Sequence, residues 1–154
     1  MDITYCEKWW FSKKKPLKKM NSENAKRRHE SRKPYVAVLG YSNKPLFIID
    51  VSDEWVSIIF MDEYLRQYLR YDFRETQSGK LFLKTATYWL YEDDSDAEIF
   101  SKIFSFNESG HIIVEERNLK SNEVKAFEDT LNVDNNWEDY PFFGNYESLC
   151  KKER

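Results

Sequence analysis

Short runs of β-branched and aromatic residues, separated by turn residues, follow one another along most of the chain. Such runs are typical of β-strands, and a short turn rich in Gly, Asn, Ser or Pro between two of them predicts a β-hairpin. The pattern predicts strands at residues 3–11, 35–39, 46–51, 55–60, 68–73, 81–91, 99–106, 111–117 and 123–133. Hairpin turns are expected at residues 42–45, 77–79 and 107–110.

Helical structure is predicted in few places. Tyr64, Leu65, Tyr68 and Leu69 recur at helical spacing, although residues 68–73 also fit an extended strand. We predict a short helix at residues 62–67 that leads into a strand, and a terminal helical turn within residues 146–154. Together these elements predict an α+β fold dominated by a large, mostly antiparallel β-sheet, a meander of hairpins, with one or two short helices.

The length of the chain predicts a single domain, because 154 residues are enough to build one good core. Within this domain, residues 1–154, we expect three segments. They are a basic loop or short helix at 12–33, a sheet core at 34–133, and an aromatic, turn-rich C-terminal segment at 134–154.

The composition argues against several classes of protein. Aromatic residues make up 17% of the chain and there are only four glycines, which disfavours a glycine-rich phosphate loop. No stretch approaches the roughly 18 apolar residues that cross a bilayer, and the first residues lack the apolar core of a signal peptide. We therefore expect a cytoplasmic protein without membrane contact. In that compartment Cys6 and Cys150 are expected to be free thiols, with a disulfide between the chain ends as the alternative.

Charge divides the chain sharply. Residues 1–34 hold 11 Lys or Arg against 4 Asp or Glu, whereas residues 35–154 hold 13 against 23. A basic run can bind nucleic acid or another anionic partner, or it can be a solvated connector that pairs with the acidic body. Both interpretations are open for residues 12–33.

No set of catalytic or metal-binding residues emerges from the sequence. There is no Gly-x-Ser-x-Gly elbow and no Walker-type phosphate loop. Cys6, Cys150, His29 and His111 lack the spacing of a zinc site. We therefore expect a binding protein without enzymatic activity, cofactor or metal.

Two stretches of the sequence carry a family resemblance. One is Phe-Met-Asp-Glu-Tyr-Leu-Arg-Gln-Tyr-Leu-Arg-Tyr-Asp-Phe at residues 60–73, continued at 79–83, and the other is Asn-Trp-Glu-Asp-Tyr-Pro-Phe-Phe-Gly-Asn-Tyr at residues 136–146. Both resemble bacterial polymorphic-toxin immunity proteins, including partners of contact-dependent growth inhibition toxins. The resemblance covers roughly residues 46–154. It implies a cytosolic protein that binds a cognate toxin C-terminal domain and blocks it, commonly by covering a nuclease active site.

Candidate contact residues follow from this implied partner. Nuclease domains that bind phosphates tend to be basic, so an acidic inhibitor speeds encounter and takes the place of the substrate. The predicted toxin contacts form an acidic loop and an aromatic-acidic ending: Glu92, Asp93, Asp94, Asp96 and Glu98, and Trp137, Glu138, Asp139 and Tyr140. Each group has a structural alternative, since the loop can serve solubility alone and Trp137 can help to seal one end of the sheet.

The main alternative function is a single-stranded nucleic-acid or other macromolecule-binding module. In that hypothesis the basic N-terminal arm follows phosphates while aromatic residues of the sheet stack on bases. The acidic body, residues 35–154, argues against it because it repels a phosphate backbone. The sequence leaves the toxin chemistry and the oligomeric state open.

Overall fold

The computed structural model describes residues 1–41 and 43–154, which form one antiparallel β-sheet and one α-helix. The helix α1 spans Ser22–Glu30, and two 3-10 helices span Asp134–Asn136 and Glu147–Cys150. The strands are β1 (Asp2–Trp10), β2 (Lys15–Met20), β3 (Tyr35–Tyr41), β4 (Lys44–Val51), β5 (Trp55–Met61), β6 (Gln67–Gln77), β7 (Lys80–Tyr91), β8 (Glu98–Phe106), β9 (His111–Asn118), β10 (Glu123–Thr130) and β11 (Trp137–Asp139).

The sheet is largely a meander. Its strand order is β10-β9-β8-β7-β6-β5-β4-β3-β1-β2, so each strand from β3 to β9 pairs with the next one in the chain. All pairings are antiparallel, both those joined by short hairpin turns and the pairs β1–β3 and β7–β11, which no hairpin connects. The prediction of a mostly antiparallel β-sheet is confirmed.

The short strand β11 returns to the middle of the sheet. It pairs with the start of β7, at Lys80, Leu81 and Phe82. This position is open because β8 pairs with β7 only from Thr85 onwards. The C-terminal segment is thereby brought back onto the sheet.

One face of the sheet, here called the helix face, is covered by α1 and the C-terminal segment. Alternate residues of each strand point to the same face, and on β3 these are Tyr35, Ala37 and Leu39. Ala25 of α1 packs against them. Tyr146 and Leu149 of the C-terminal segment complete this core, and both are almost fully buried.

The opposite face, here called the hairpin face, is covered over β3–β5 by the β1–β2 hairpin. Trp9 packs with Val38 and Ile48 on this face, and the partly buried Leu65 closes the cluster. At the tip of the hairpin, the Lys14 ammonium donates to the Tyr64 carbonyl at 2.9 Å. The hairpin therefore lies across the sheet.

The two cysteines are free thiols on opposite faces of the sheet. Cys6 is buried on the hairpin face, whereas Cys150 packs against the core of the helix face. Burial raises the pKa of Cys6 to about 11 and that of Cys150 to about 12. Both thiols are therefore protonated at neutral pH.

The helix predicted at residues 62–67 does not form, and this prediction is wrong. Residues 62–66 make a turn in which one oxygen of Asp62 accepts hydrogen bonds from the Tyr64 and Arg66 amides, both at 2.9 Å. Leu65 has φ of +57°, which is incompatible with an α-helix. The side chain of Asp62 binds the Arg66 amide, which a helix over these residues would direct to the Asp62 carbonyl, and strand β6 begins directly afterwards.

The segment 12–33 is also more structured than the prediction of a basic loop or short helix. The helical part is confirmed as α1, which is capped by the Asn21 side chain accepting from the Asn24 amide at 2.8 Å. Lys15–Met20, however, is edge strand β2. Its backbone partners lie on β1, so pairing overrides a side-chain pattern that carries no strand signal.

Most of the remaining boundaries differ by one or two residues from the sequence-based prediction, but β6 ends at Gln77, four residues later than predicted, and β11 was not predicted. The strand expected at 123–133 ends at Thr130, and the C-terminal helical turn is the 3-10 helix Glu147–Cys150. In the turn predicted at 42–45, Ser42 lies outside the described residues, and Asn43 has φ of +63°.

Candidate functional site

Four hairpin turns lie at one end of the sheet, because alternate turns of a meander fall on the same side. Three of them, residues 62–66, 92–97 and 119–122, are joined by polar contacts. We call these turns, together with Glu98 and Lys14, the acidic end. Its carboxylates outnumber its cations and belong to the following residues: Asp62, Glu63, Glu92, Asp93, Asp94, Asp96 and Glu98.

The predicted acidic loop has a defined backbone. The Glu92 amide donates to the Ala97 carbonyl at 2.9 Å, and the Ser95 amide donates to the Glu92 carbonyl at 3.0 Å. Asp93 adopts φ of +50° within this turn, a conformation that Asp tolerates better than most residues. All residues from 92 to 98 are exposed, so a defined turn holds five carboxylates in solvent.

Arg66 connects the acidic loop to the 62–66 turn. Its guanidinium donates to the carbonyls of Asp93 at 2.9 Å and Ser95 at 2.6 Å, and to the Asp62 carboxylate at 2.8 Å. The group also lies 4.8 Å from the Tyr64 ring centre and 4.6 Å from that of Tyr91. Only 11% of the Arg66 side chain is exposed, so this cation is part of the scaffold.

Two lysines pair with acids of the same loop. Lys14 lies 2.9 Å from Asp96, and Lys120 lies 3.4 Å from Glu92. Asp93, Asp94 and Glu98, in contrast, make no ion pair within residues 1–41 and 43–154. Together with the exposed Glu63 they leave an uncompensated negative charge at the tip of the sheet.

The carboxylates of the acidic end contribute to a raised pKa of Tyr91. Burial, and then the neighbouring carboxylates of Glu98 and Asp62, raise the pKa of its phenol to about 12. The phenol donates to the Gln67 carbonyl at 2.5 Å. Tyr64, by contrast, is 44% exposed and presents its ring beside the acids.

The aromatic-acidic ending occupies a different environment, since its four side chains make contacts within the protein. Trp137 packs edge-on against Phe82 with ring centres 4.9 Å apart. The Tyr140 phenol donates to the Ser52 carbonyl at 2.9 Å, and the Arg32 guanidinium lies 3.9 Å from the Tyr140 ring centre.

The two acids of this ending are paired as well. Glu138 accepts from Arg154 at 2.8 Å, and both side chains are at least 86% buried. Asp139 pairs with Lys80 on β7. These contacts are typical of a segment that packs against the sheet and stabilises the fold.

The structure places the two predicted groups far apart. β11 pairs with the first residues of β7, whereas the acidic loop follows the last residue of this twelve-residue strand. At about 3.3 Å per residue, the two groups are separated by roughly 35 Å. A standard interface covers about 800 Å² on each partner, which is about 28 Å across. One contact patch of that size therefore includes only one of the groups.

The residues that organise the acidic end are largely those that the sequence assigned to a helix. Asp62 and Arg66 are spaced four apart, which fits a helix as well as a turn. The contact of Lys14 with Asp96 joins residues 82 positions apart, and no local pattern indicates such a pair.

A second polar cluster lies on the hairpin face. Asp72 accepts hydrogen bonds from Ser57 at 2.5 Å, Arg70 at 2.9 Å and Thr85 at 3.0 Å. Desolvation raises the pKa of the neighbouring Asp50, with Arg70 opposing and Asp72 adding to the rise. Each polar group of Asp72 has a partner, which is the pattern of a structural network. Among the described residues, no three His, Cys, Asp or Glu side chains are arranged to hold a metal ion.

Basic residues of the segment 12–33 partly pair with the body. Arg28 lies 3.1 Å from Glu7, and Arg32 lies 3.3 Å from Glu75. An open cleft of about 570 Å³ remains between β2 and α1. It is lined by one acid, Glu7, and by five basic residues: Lys18, Lys19, Arg27, Arg28 and Lys33.

Comparisons with known proteins give no match, so the geometry described above is the basis for the proposed function. No protein-family model matches the chain, and neither curated proteins nor solved structures give a significant match. Within the described residues, no helix has the length and apolar character needed to cross a membrane.

Proposed function

We propose that this chain is an immunity protein that binds a cognate toxin domain, a basic nuclease, through the acidic end. The observation that carries the proposal is a defined turn that, with the first residue of β8, holds Asp93, Asp94 and Glu98 in solvent without ion-pair partners among the described residues. The resemblance of residues 60–73 to immunity proteins supports the same region, because these residues include the turn that anchors the loop.

Arg66 and Lys14 contribute by organising the loop before any partner arrives. A loop already held in one conformation loses less entropy on binding than a flexible one. Carboxylates in that loop occupy the positions that substrate phosphates take in a basic active site. They also speed the encounter with a positively charged partner.

The exposed ring of Tyr64 adds an apolar anchor beside the charges. Tyrosine is enriched among the residues that dominate binding energy in protein interfaces. We propose that Tyr64 lies at the centre of the toxin interface and that the carboxylates of the acidic end surround it. This arrangement assigns the aromatic-acidic ending, Trp137 to Tyr140, to stability.

The test measures association with the toxin domain that the immunity hypothesis expects the gene directly upstream to encode, over a range of salt concentrations. The triple variant Asp93→Asn, Asp94→Asn and Glu98→Gln should associate roughly tenfold more slowly at low salt, with a weaker dependence on salt. Its matched control removes the same charge elsewhere through Glu108→Gln, Asp134→Asn and Glu147→Gln.

The control variant should associate at nearly the rate of the unmodified protein. An equal loss in both triple variants would reject the acidic end as the interface. A complete lack of binding by the unmodified protein at low salt would reject the immunity function for that toxin.

The basic cleft between β2 and α1 supports a second candidate function, the binding of single-stranded nucleic acid. Deletion of residues 12–33 is unsuitable as a test because it removes β2 and α1 from the fold. Fluorescence anisotropy with a labelled oligothymidine instead compares the unmodified protein with Lys19→Ala, Arg27→Ala and Lys33→Ala combined. A tenfold or greater loss in the variant, steeply dependent on salt, would favour this function. Equal affinities would reject it.

A further inference from the structure

Strand β10 is an exposed edge of the sheet, and all eight of its residues are exposed. Its register with β9 is regular over residues 111–118. The Leu131 amide donates to the Gly110 carbonyl at 2.8 Å, so this residue faces β9. Since hydrogen-bonding direction alternates along an antiparallel strand, the outward-facing backbone groups belong to Val124, Ala126, Glu128 and Thr130.

On the helix face, two rows of side chains run across the strands and end at β10. One row is apolar, with Phe104 opposite Val114 and Val114 opposite Phe127. It stops at Phe127, whose side chain is 48% exposed.

The other row alternates in charge. Lys102 pairs with Glu116 at 3.3 Å, and Glu116 lies opposite Lys125. Among the described residues, none continues this row beyond β10. A strand added next to β10 would continue the alternation if it placed an acid opposite Lys125.

We propose that β10 pairs antiparallel with β10 of a second copy of this chain, with Phe127 on the two-fold axis. In this register Lys125 lies opposite Asp129 of the second copy, and the contact occurs twice. Both rows then continue across the junction, one as Phe127 against Phe127 and the other as alternating charges. Val124, Ala126, Glu128 and the Thr130 carbonyl supply the backbone hydrogen bonds between the copies, while the Thr130 amide donates to the neighbouring Asp129 carboxylate at 2.8 Å.

Charge repulsion disfavours the neighbouring registers. Because the two copies form one continuous sheet, paired residues share a face and the register changes in steps of two. One step in one direction places Glu123 opposite Asp129, and one step in the other places Glu128 opposite itself. A further step places Lys125 opposite itself. Like charges directly opposite each other destabilise a strand pair, so the proposed register is favoured among those that pair five or more residues.

The other sheet edge does not favour the same association. β2 carries Lys15, Lys18 and Lys19, and Pro16 has no amide hydrogen to donate. A symmetric β10 contact uses the same surface on both copies and therefore closes at two. The expected assembly is a dimer, not a filament, and it does not depend on the proposed toxin binding.

Sedimentation velocity over a wide range of protein concentration tests the dimer. The unmodified protein should shift from 18.7 kDa to twice that mass as concentration rises. Lys125→Asp and Asp129→Lys, made separately, each place like charges opposite each other, so we expect at least about tenfold weaker self-association. Lys26→Asp on α1 is the matched charge control and should behave like the unmodified protein.

Two complementation experiments make the register specific. The double variant Lys125→Asp with Asp129→Lys should dimerise again, because the charges facing each other across the junction are exchanged. An acid at position 125 also lies opposite Glu116 of its own chain, but this repulsion is present in monomer and dimer alike. A mixture of the two single variants should form a mixed dimer, since each strand then carries one sign of charge.

A protein that stays monomeric at every concentration would overturn the proposal, as would single variants that dimerise as strongly as the unmodified protein. Failure of both complementation experiments would overturn the register.

Discussion

His29 links helix α1 to the core of the helix face through a chain of hydrogen bonds. Its Nδ1 lies 2.8 Å from the Tyr35 phenol oxygen, which lies 2.8 Å from that of Tyr146. The rings of Tyr140 and Phe143 pack around the imidazole. Burial, followed by the positive charge of Arg32, lowers the pKa of His29 below its ordinary value of 6.5.

This lowered pKa predicts a loss of stability in mild acid. Below pH 6.5 the unfolded chain binds a proton at His29 more readily than the folded chain, so the free energy of unfolding falls as the pH falls. We expect His29→Gln to reduce this decline between pH 7 and pH 5. Thermal melts of both proteins at matched pH values measure the difference, and identical slopes would contradict the assignment. Glu30, which raises the pKa, remains in both proteins.

At the level of elements, Arg66 determines how the β5–β6 and β7–β8 turns sit against each other. Its removal deletes the charged hydrogen bonds to the exposed carbonyls of Asp93 and Ser95 and to one oxygen of Asp62. Hydrogen bonds that involve a charged group contribute on the order of 1.5–3 kcal/mol, and water replaces part of this at exposed acceptors. The loop that carries the proposed toxin contacts therefore depends on one cation from another hairpin.

We expect Arg66→Ala to lower the free energy of unfolding by about 2 kcal/mol and to speed amide exchange in residues 92–97. Arg74→Ala is the matched control, because Arg74 makes one exposed ion pair with Glu54 at 3.3 Å. Removing such a pair costs about 1 kcal/mol or less. Urea titration and hydrogen exchange measure both variants. Unchanged exchange in the loop of Arg66→Ala would contradict the anchoring role.

For the whole molecule, burial is uneven across the sheet. The strands β3–β5 are covered on both faces, whereas β8 is half-buried and β10 is exposed throughout. Local opening requires less free energy where fewer apolar side chains are buried.

Hydrogen exchange at a dilution that keeps the protein monomeric should reflect this gradient. Amides of β3–β5 are expected to exchange most slowly and those of β10 fastest, with β8 and β9 between them. The outward-facing amides of Val124, Ala126 and Glu128 should become protected as the concentration rises, if the copies pair through β10. Equal protection of β4 and β10 in the monomer would contradict the gradient.

Much of the sheet could be predicted from the sequence because its central strands are strongly apolar. The runs at residues 35–39, 46–51 and 55–60 become β3, β4 and β5 within one to two residues. Clear hairpin residues, such as those at 107–110, determine which strands are neighbours. A meander places most partners next to each other in the chain, so local pattern is sufficient there.

The errors arose where hydrogen bonds that leave no side-chain pattern determine the local structure. Lys15–Met20 is a strand because β1 offers it hydrogen bonds, and residues 62–66 form a turn because the Asp62 side chain takes up nearby amides. Neither interaction leaves a hydrophobic pattern along the chain. Propensity and periodicity describe a segment alone, and tertiary pairing overrides them.

The sequence by itself determined the central antiparallel strands and the cluster of acids that follows β7, since apolar periodicity and charge are local properties. Only the tertiary structure decided which of those acids remain without partners. Arg66, Lys14 and Lys120 come from three other parts of the chain, and the fold brings them to one loop. The fold likewise separates the acidic loop from the aromatic-acidic ending, because a twelve-residue strand lies between them. Distance and ion pairing are properties of the folded chain, and they concentrate the proposed binding surface at a single end of the sheet.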